Sequence, residues 1–167
     1  MRRLAQLVLV AATFVALALA VQQHGTLPAR VASHFGPTGQ PDGWTTRNGH
    51  TLVQTGITLF IAVLFFALAT LLPCLPDRFV NLPHRDYWLA PRRRAETLAW
   101  LGAMFLWLGA LLQGFLSFVF REVWRANTAP QPELHLNSLW LQVSLFILTA
   151  GLVVTLLFRF RRPGGAR

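Results

Sequence analysis

Four long runs of apolar side chains alternate with polar, turn-rich segments along this chain. The runs cover residues 4–21, 52–72, 97–120 and 138–158, and none has a charged residue or a histidine in its interior. A helix needs about 20 mainly apolar residues to cross the hydrocarbon core of a bilayer. Apolar side chains surround each run completely, and backbone polar groups cannot be left unpaired in lipid, so the pattern predicts four transmembrane helices.

The spacing of these runs also predicts how the chain is organised. Residues 1–72 form a first helical hairpin whose connecting loop, residues 22–51, is far longer than a connection requires. A connector of residues 73–96 leads to a second hairpin and a basic tail in residues 97–167. The predicted fold class is therefore all-α: an integral membrane protein with four transmembrane helices and a structured extracytoplasmic loop between the first two.

Composition supports the membrane assignment over its main competitor. Hydrophobic residues make up 54% of the chain and charged residues only 13%. The net charge of +9 is of the kind found in nucleic-acid-binding proteins. Here, however, the arginines form short clusters at the ends of apolar runs rather than one basic face. We therefore expect the lipid bilayer, and no nucleic acid, as a partner.

The arginines also predict the orientation of the chain. Eleven of the 15 basic residues precede the first run, lie in the connector or follow the fourth run. Cytoplasmic segments carry such an excess, so both termini and the connector are expected in the cytoplasm and residues 22–51 outside. Residues 1–20 also resemble a signal peptide that ends at Ala18-Leu19-Ala20. Whether they are retained or cleaved, the topology of the remaining chain is the same.

The long loop carries the residues that are best suited to binding or catalysis. Turn-forming pairs at Gly36-Pro37 and Asp42-Gly43, with Gly39 between them, predict a tightly folded segment. His34 and Asp42, together with His24 and His50, could form a metal site or an acid/base pair, although their spacing matches no metal motif. A structural role, ligand or peptide recognition, and metal chemistry are the three alternatives for this segment.

The connector and the spans suggest no catalytic chemistry. Arg92, Arg93 and Arg94 are expected to contact anionic lipid headgroups, each contributing about 1 kcal/mol, or to dock a cytoplasmic partner. Pro91 is expected in the first turn of the third helix. With no ionisable group inside a span, a proton relay is disfavoured. Interhelical hydrogen bonds are expected for the polar residues of the spans, which are Gln54, Gln113 and Gln142.

The loop resembles the signature of domain-of-unknown-function family 1648 (DUF1648). The resemblance covers about residues 5–65 and rests on Leu27-Pro28 and on seven loop positions: His34, Phe35, Gly36, Gly39, Asp42, Gly43 and Trp44. It implies a multi-pass protein of the bacterial cytoplasmic (inner) membrane with this loop on the outer face. The domain also forms the N-terminal part of SdpI-type immunity proteins, for which it implies protection against a secreted killing peptide. The Asn…Gly-x-Arg element of their second domain does not occur between residue 70 and the end of the fourth run.

These observations favour a non-enzymatic membrane protein that recognises a secreted peptide or another membrane protein through the outer loop. The seven loop positions are then the candidate binding residues, and no catalytic residue, metal ligand or cofactor is assigned. Two alternatives remain. One is a metal-dependent membrane enzyme that uses His34 and Asp42. The other is a subunit that stabilises a larger membrane complex, for which oligomers are expected.

Overall fold

A computed structural model describes residues 1–134 and 139–161, with the side chains of residues 139–142, 145 and 146 excepted. Helix α1 (Arg2–Thr26) leads into a hairpin of strands β1 (Arg30–Phe35) and β2 (Pro41–Thr46), and helix α2 (Arg47–Leu71) follows directly. Two 3₁₀ turns and the short helix α3 (Arg85–Trp88) form the connector. The long helix α4 (Pro91–Thr128) and helix α5 (Leu139–Arg159) complete the described chain.

The fold is mostly helical, as predicted, and three of its helices can cross a membrane. Arg2–Thr26, Arg47–Cys74 and Pro91–Thr128 are long and apolar enough for this, judged over the described residues. These three helices all begin before the corresponding predicted run, and α1 and α4 also end after it. The segment that separates α1 from α2 is consequently only residues 27–46. In α5, the apolar stretch found among the described residues is Ile147–Arg159.

Helices α1, α2 and α4 pack into a bundle around a shared apolar core. The buried residues of this core are Ala5, Leu9, Ile61, Phe65, Ala69, Leu106 and Ala110. Close approach between α2 and α4 depends on Gly109, where an added Cβ would lie 2.8 Å from the Cβ of Phe65. Because overpacking of a filled core is costly, this position fixes the distance between the two helices.

Two contacts show how the helices are directed. Arg2 Nη2 donates to the carbonyl of Ala69, 3.2 Å away, so the start of α1 lies beside the end of α2. Trp124 Nε1 donates to Thr26 Oγ1 over 2.8 Å, so the ends of α1 and α4 lie together. We call the end with β1, β2 and these two helix ends the hairpin end, and the end with residues 72–96 the connector end. Arg159 of α5 reaches Glu96 at 3.6 Å and therefore belongs to the connector end.

The two-stranded sheet was not predicted from the sequence. Strands β1 and β2 are antiparallel, and α2 begins immediately after β2. Thr46 is the N-cap of α2, and its hydroxyl accepts a hydrogen bond from the backbone N–H of Gly49 over 3.0 Å. The prediction that Asp42-Gly43 marks a turn was wrong, because both residues lie in β2. The turn itself lies at residues 36–40. There Gly36 N–H donates to Gln40 O over 2.8 Å, and Gly39 has a φ of +83°.

Candidate functional site

Two irregularities in the hairpin bring His34 and Asp42 together. The register pairs Ala32 with Trp44, His34 with Gly43 and Phe35 with Pro41, so that it passes over Ser33 on β1 and Asp42 on β2. Such shifts twist a strand locally and redirect side chains. As a result His34 Nδ1 donates a hydrogen bond to Asp42 Oδ1 across the hairpin.

Two glycines border this pair, and Gly43 makes room for it. A Cβ added at Gly43 would lie 2.9 Å from the Cβ of His34, and a Cβ added at Gly36 would lie 3.4 Å from Asp42 Oδ2. The His34 side chain therefore occupies the space that a side chain at position 43 would need. Four of the loop positions singled out from the sequence thus form one structural unit.

The His34–Asp42 pair is exposed, and so is Trp44, which lies on β2 with Asp42. The side chains of His34 and Asp42 are 75% and 54% exposed, and Trp44 is 41% exposed. The guanidinium of Arg30 lies over the Trp44 ring, 4.7 Å from its centre. We call Arg30, His34, Asp42 and Trp44 the hairpin face. It presents a cation, an imidazole, a carboxylate and a large aromatic ring on one small hairpin.

The side chain of Asn127 fixes the hairpin to the end of α4. Its Oδ1 accepts from the backbone N–H of Ala32 at 2.7 Å, and its Nδ2 donates to the carbonyl of Ala32 at 2.9 Å. The amide therefore pairs with β1 as a neighbouring strand would. Asn127 and Ala32 are both buried, so each of these groups would be costly to leave unpaired. This role could not be predicted from the sequence, because a polar residue near a helix end is ordinary.

The chain after α4 holds the hairpin turn from another direction. Leu134 N–H donates to the carbonyl of Gly39 over 3.0 Å. A Cβ added at Gly39 would lie 2.5 Å from the carbonyl oxygen of Leu134. Gly39 is thus needed both for its backbone conformation and for this close contact. The hairpin is held at β1 by Asn127 and at its turn by Leu134.

Beneath the hairpin, polar side chains link the three helices in the interior. Gln54 Nε2 donates to Gln23 Oε1 over 3.0 Å, and Gln113 Nε2 donates to the carbonyl of Thr58 over 2.7 Å. The interhelical bonds predicted for Gln54 and Gln113 are therefore confirmed, whereas the side chain of Gln142 lies outside the described residues. Gln23, which the sequence analysis missed, is 3% exposed. Hydrogen bonds of this kind specify which helix faces meet.

The four residues considered for a metal site or an acid/base pair are not brought together. His24 Nδ1 is hydrogen-bonded to Thr51 Oγ1 at 2.9 Å, and His50 packs edge-on against Phe120 with ring centres 5.8 Å apart. Only His34 and Asp42 meet. Over the part of the chain that the structure describes, no group of three or more His, Cys, Asp or Glu side chains is placed to hold a metal ion.

At the connector end, the predicted headgroup residues differ in their contacts. Arg94 Nε donates to Asp77 Oδ1 at 2.8 Å, and its Nη2 donates to the carbonyl of Leu75 at 3.0 Å. The guanidinium of Arg93 lies 3.8 Å from the centre of the Tyr87 ring, and Arg92 is exposed. Pro91 begins α4, which confirms the prediction for this proline. Arg94 therefore braces the connector, and Arg92 extends into the surroundings.

Comparison with known proteins identifies the first hairpin. Residues 8–59 match the family model described as "Domain of unknown function (DUF1648)". The matched region runs from the first turns of α1 through the β-hairpin into α2, and so includes the whole hairpin face. The match confirms, for this part of the chain, the resemblance to DUF1648 that the loop residues predicted. The comparisons with curated proteins and with solved structures returned no match.

Proposed function

We propose that this chain is a non-enzymatic recognition protein of the bacterial inner membrane, which binds a secreted peptide or another protein through the hairpin face. The observation that carries the proposal is the combination of exposure and rigidity. Trp44 and its cationic partner Arg30 are exposed, yet the strands beneath them are fixed by Asn127 and Leu134. Rigid exposed aromatic and arginine side chains are the types that dominate binding energy at protein interfaces.

The outer edge of β2 adds a second means of recognition. The described sheet contains β1 and β2 alone. The edge of β1 that faces away from β2 is bound by Asn127. The backbone of β2 can therefore accept an extended peptide as a third strand. Thr45 and Thr46 precede α2 without a linker, so a peptide bound along β2 would lie close to the membrane. Side-chain selectivity would come from Trp44 and from the His34–Asp42 pair.

The proposed topology has four spans with both termini in the cytoplasm. Helix α5 contains 21 residues, about 30 Å at the rise of an α-helix, which matches the thickness of the hydrocarbon core. The excess of arginine at the connector end supports a cytoplasmic location for that end. The hairpin face then lies outside the cell membrane, where a secreted peptide would meet it.

The resemblance to SdpI-type immunity proteins supports a defensive role for such recognition. It concerns the first hairpin, which is the part of the chain that the DUF1648 model covers. In this proposal the hairpin face captures the peptide, and the second helical hairpin, α4 and α5, supports it. Asn127 is the direct link between the two parts, because it lies on α4 and holds β1.

Photo-crosslinking in native membranes tests the proposal. A photoreactive residue at position 44 should capture a discrete peptide or protein, identified by mass spectrometry, and Asp42→Asn should reduce that capture. The matched control is the same residue at Leu52, which is 74% exposed near the start of α2. Capture of lipid or of this chain's own helices alone from position 44 would make the hairpin a structural brace and overturn the recognition role.

The orientation is tested separately. A cysteine at the exposed turn residue Thr38, with Cys74 replaced, should react with a membrane-impermeant thiol reagent in intact cells or after permeabilisation of the outer membrane. A cysteine at Arg92 in the same background should react only after lysis. The reverse pattern would invert the proposed topology.

A further inference from the structure

An apolar groove opens between α2, α4 and the connector. Its volume is about 430 Å³, within the range of about 300 to 1,000 Å³ usual for small-molecule sites. On the helices it is lined by side chains such as Leu64, Ala67 and Phe105. Leu64, together with Leu71 of the same wall, is more than one-third exposed. The groove is therefore open to the hydrocarbon region in which α2 and α4 lie.

A polar pocket adjoins this groove at the connector end. It has a volume of about 270 Å³ and is lined by Arg78, Arg85, Asp86 and residues 80–82. Residues 80–82 also line the apolar groove, so the two spaces share one wall. An amphipathic molecule can therefore place its chain in the groove and its polar head in the pocket.

The charges of the pocket favour an anion. Arg78 and Arg85 are exposed and face the pocket, whereas the nearby Asp77 is already bound by Arg94 at 2.8 Å. Asp86 is the acidic member of the lining. It is 98% exposed and its Oδ1 lies 3.7 Å from Arg85 Nε, so solvent weakens this pair. Two guanidinium groups remain able to bind a phosphate, whose oxygens match their geometry.

We infer that this composite site binds one anionic phospholipid of the surrounding membrane. An acyl chain lies between α2 and α4, and the phosphate lies between Arg78 and Arg85. The site differs from the general headgroup contact expected for Arg92, because it joins a shaped apolar groove to a cationic pocket. It also lies at the opposite end of the bundle from the hairpin face. Its occupancy is consequently independent of whether that face recognises a peptide.

Native mass spectrometry of the purified full-length protein tests the inference. The protein in detergent is titrated with phosphatidylglycerol and with phosphatidylcholine of the same acyl chains. One phosphatidylglycerol should bind about tenfold more tightly than phosphatidylcholine. The double variant Arg78→Gln/Arg85→Gln should lose this preference. The control double variant Arg3→Gln/Arg161→Gln removes the same charge from exposed arginines outside the pocket and should retain it.

A second pair of variants tests the groove. Ala67→Trp fills the groove and should abolish stoichiometric binding of both lipids, whereas Ala11→Trp, at an exposed position of α1, should leave binding unchanged. Equal affinity for the two lipids would overturn the inference. An equal loss of the preference for phosphatidylglycerol in the two arginine double variants would also overturn it, because the preference would then depend on overall charge alone. Failure of the photo-crosslinking experiment at position 44 would leave this result unaffected.

Discussion

At the hairpin end, the side-chain amide of Asn127 binds the backbone of β1 twice: its Oδ1 accepts from Ala32 N–H and its Nδ2 donates to Ala32 O. At the connector end, arginines lie over aromatic rings: Arg93 over Tyr87 at 3.8 Å, and Arg159 over Trp88 at 4.8 Å. The first arrangement uses hydrogen bonds with narrow geometry, and the second uses contacts that tolerate displacement. Apart from Arg94, which hydrogen-bonds Asp77 and the Leu75 carbonyl, these side chains of the connector end fix the backbone less strictly than Asn127 does.

The difference matches what each end presents to its surroundings. The hairpin end displays four chemically different side chains on a fixed backbone, which suits recognition of a specific partner. The connector end displays mainly guanidinium groups beside apolar grooves, which suits contact with lipid. A partner protein has a defined shape, so the surface that binds it benefits from being rigid. Lipid molecules adapt to the surface that they cover, and such a surface needs less precision.

The largest effect is expected for Asn127→Leu, which removes the link between the hairpin and α4. The buried N–H and C=O of Ala32 lose their partners, at a cost of about 2 to 4 kcal/mol in the free energy of unfolding. Denaturation in mixed micelles measures this change. Asn48→Leu, at an exposed position of α2, should change it by less than about 0.5 kcal/mol. Similar losses in the two variants would show that Asn127 does not fix the hairpin.

Gly43→Ala should rank next, because the added Cβ would collide with that of His34. We expect a loss of about 1 to 2 kcal/mol and reduced photo-capture from position 44, since the His34–Asp42 pair is displaced. Gly56→Ala is the control: nothing lies within 4 Å of a Cβ there, and alanine favours the helix. If Gly43→Ala left both stability and capture unchanged, the hairpin face would not depend on a fixed backbone.

Arg94→Gln tests whether the connector end also contains one strictly placed side chain. It removes the contacts to Asp77 and Leu75, and since the side chain is one-third exposed we expect a loss of about 1 kcal/mol. Arg92→Gln, at the exposed first position of the same basic cluster, should leave the melting temperature unchanged. Equal melting temperatures for both variants would show that the contacts of Arg94, like the other contacts of the connector end, tolerate displacement.

The smallest loss of stability is expected for Gln113→Leu, which lies in the bundle interior between the two ends. The variant loses the bond to Thr58, but it also removes Oε1, which is buried without a hydrogen-bond partner among the described residues. Interhelical hydrogen bonds in membranes average about 0.6 kcal/mol, and we expect a loss of that size. Gln22→Leu, at an exposed position of α1, should be neutral. A loss comparable to that of Asn127→Leu would place the main constraint in the bundle interior instead.

Much of the candidate site could be predicted from single residues, but their contacts could not. The loop positions His34, Gly36, Asp42 and Gly43 were singled out together, and the structure joins them in one unit. The strands were missed because the turn signals at Asp42-Gly43 compete with a strand assignment, and a register shift there admits both residues into β2. Sequence spacing alone does not reveal a register shift.

The sequence by itself determined that the chain is a membrane protein with a DUF1648 hairpin, because helix length and apolar composition follow from local residues. It also determined that Gln54 and Gln113 bond to other helices, since lipid offers a buried amide no partner. Tertiary structure alone decided which partners they have, that Asn127 holds β1, and that Gly109 meets Phe65. These contacts join residues more than 30 positions apart, and their geometry depends on how the helices pack.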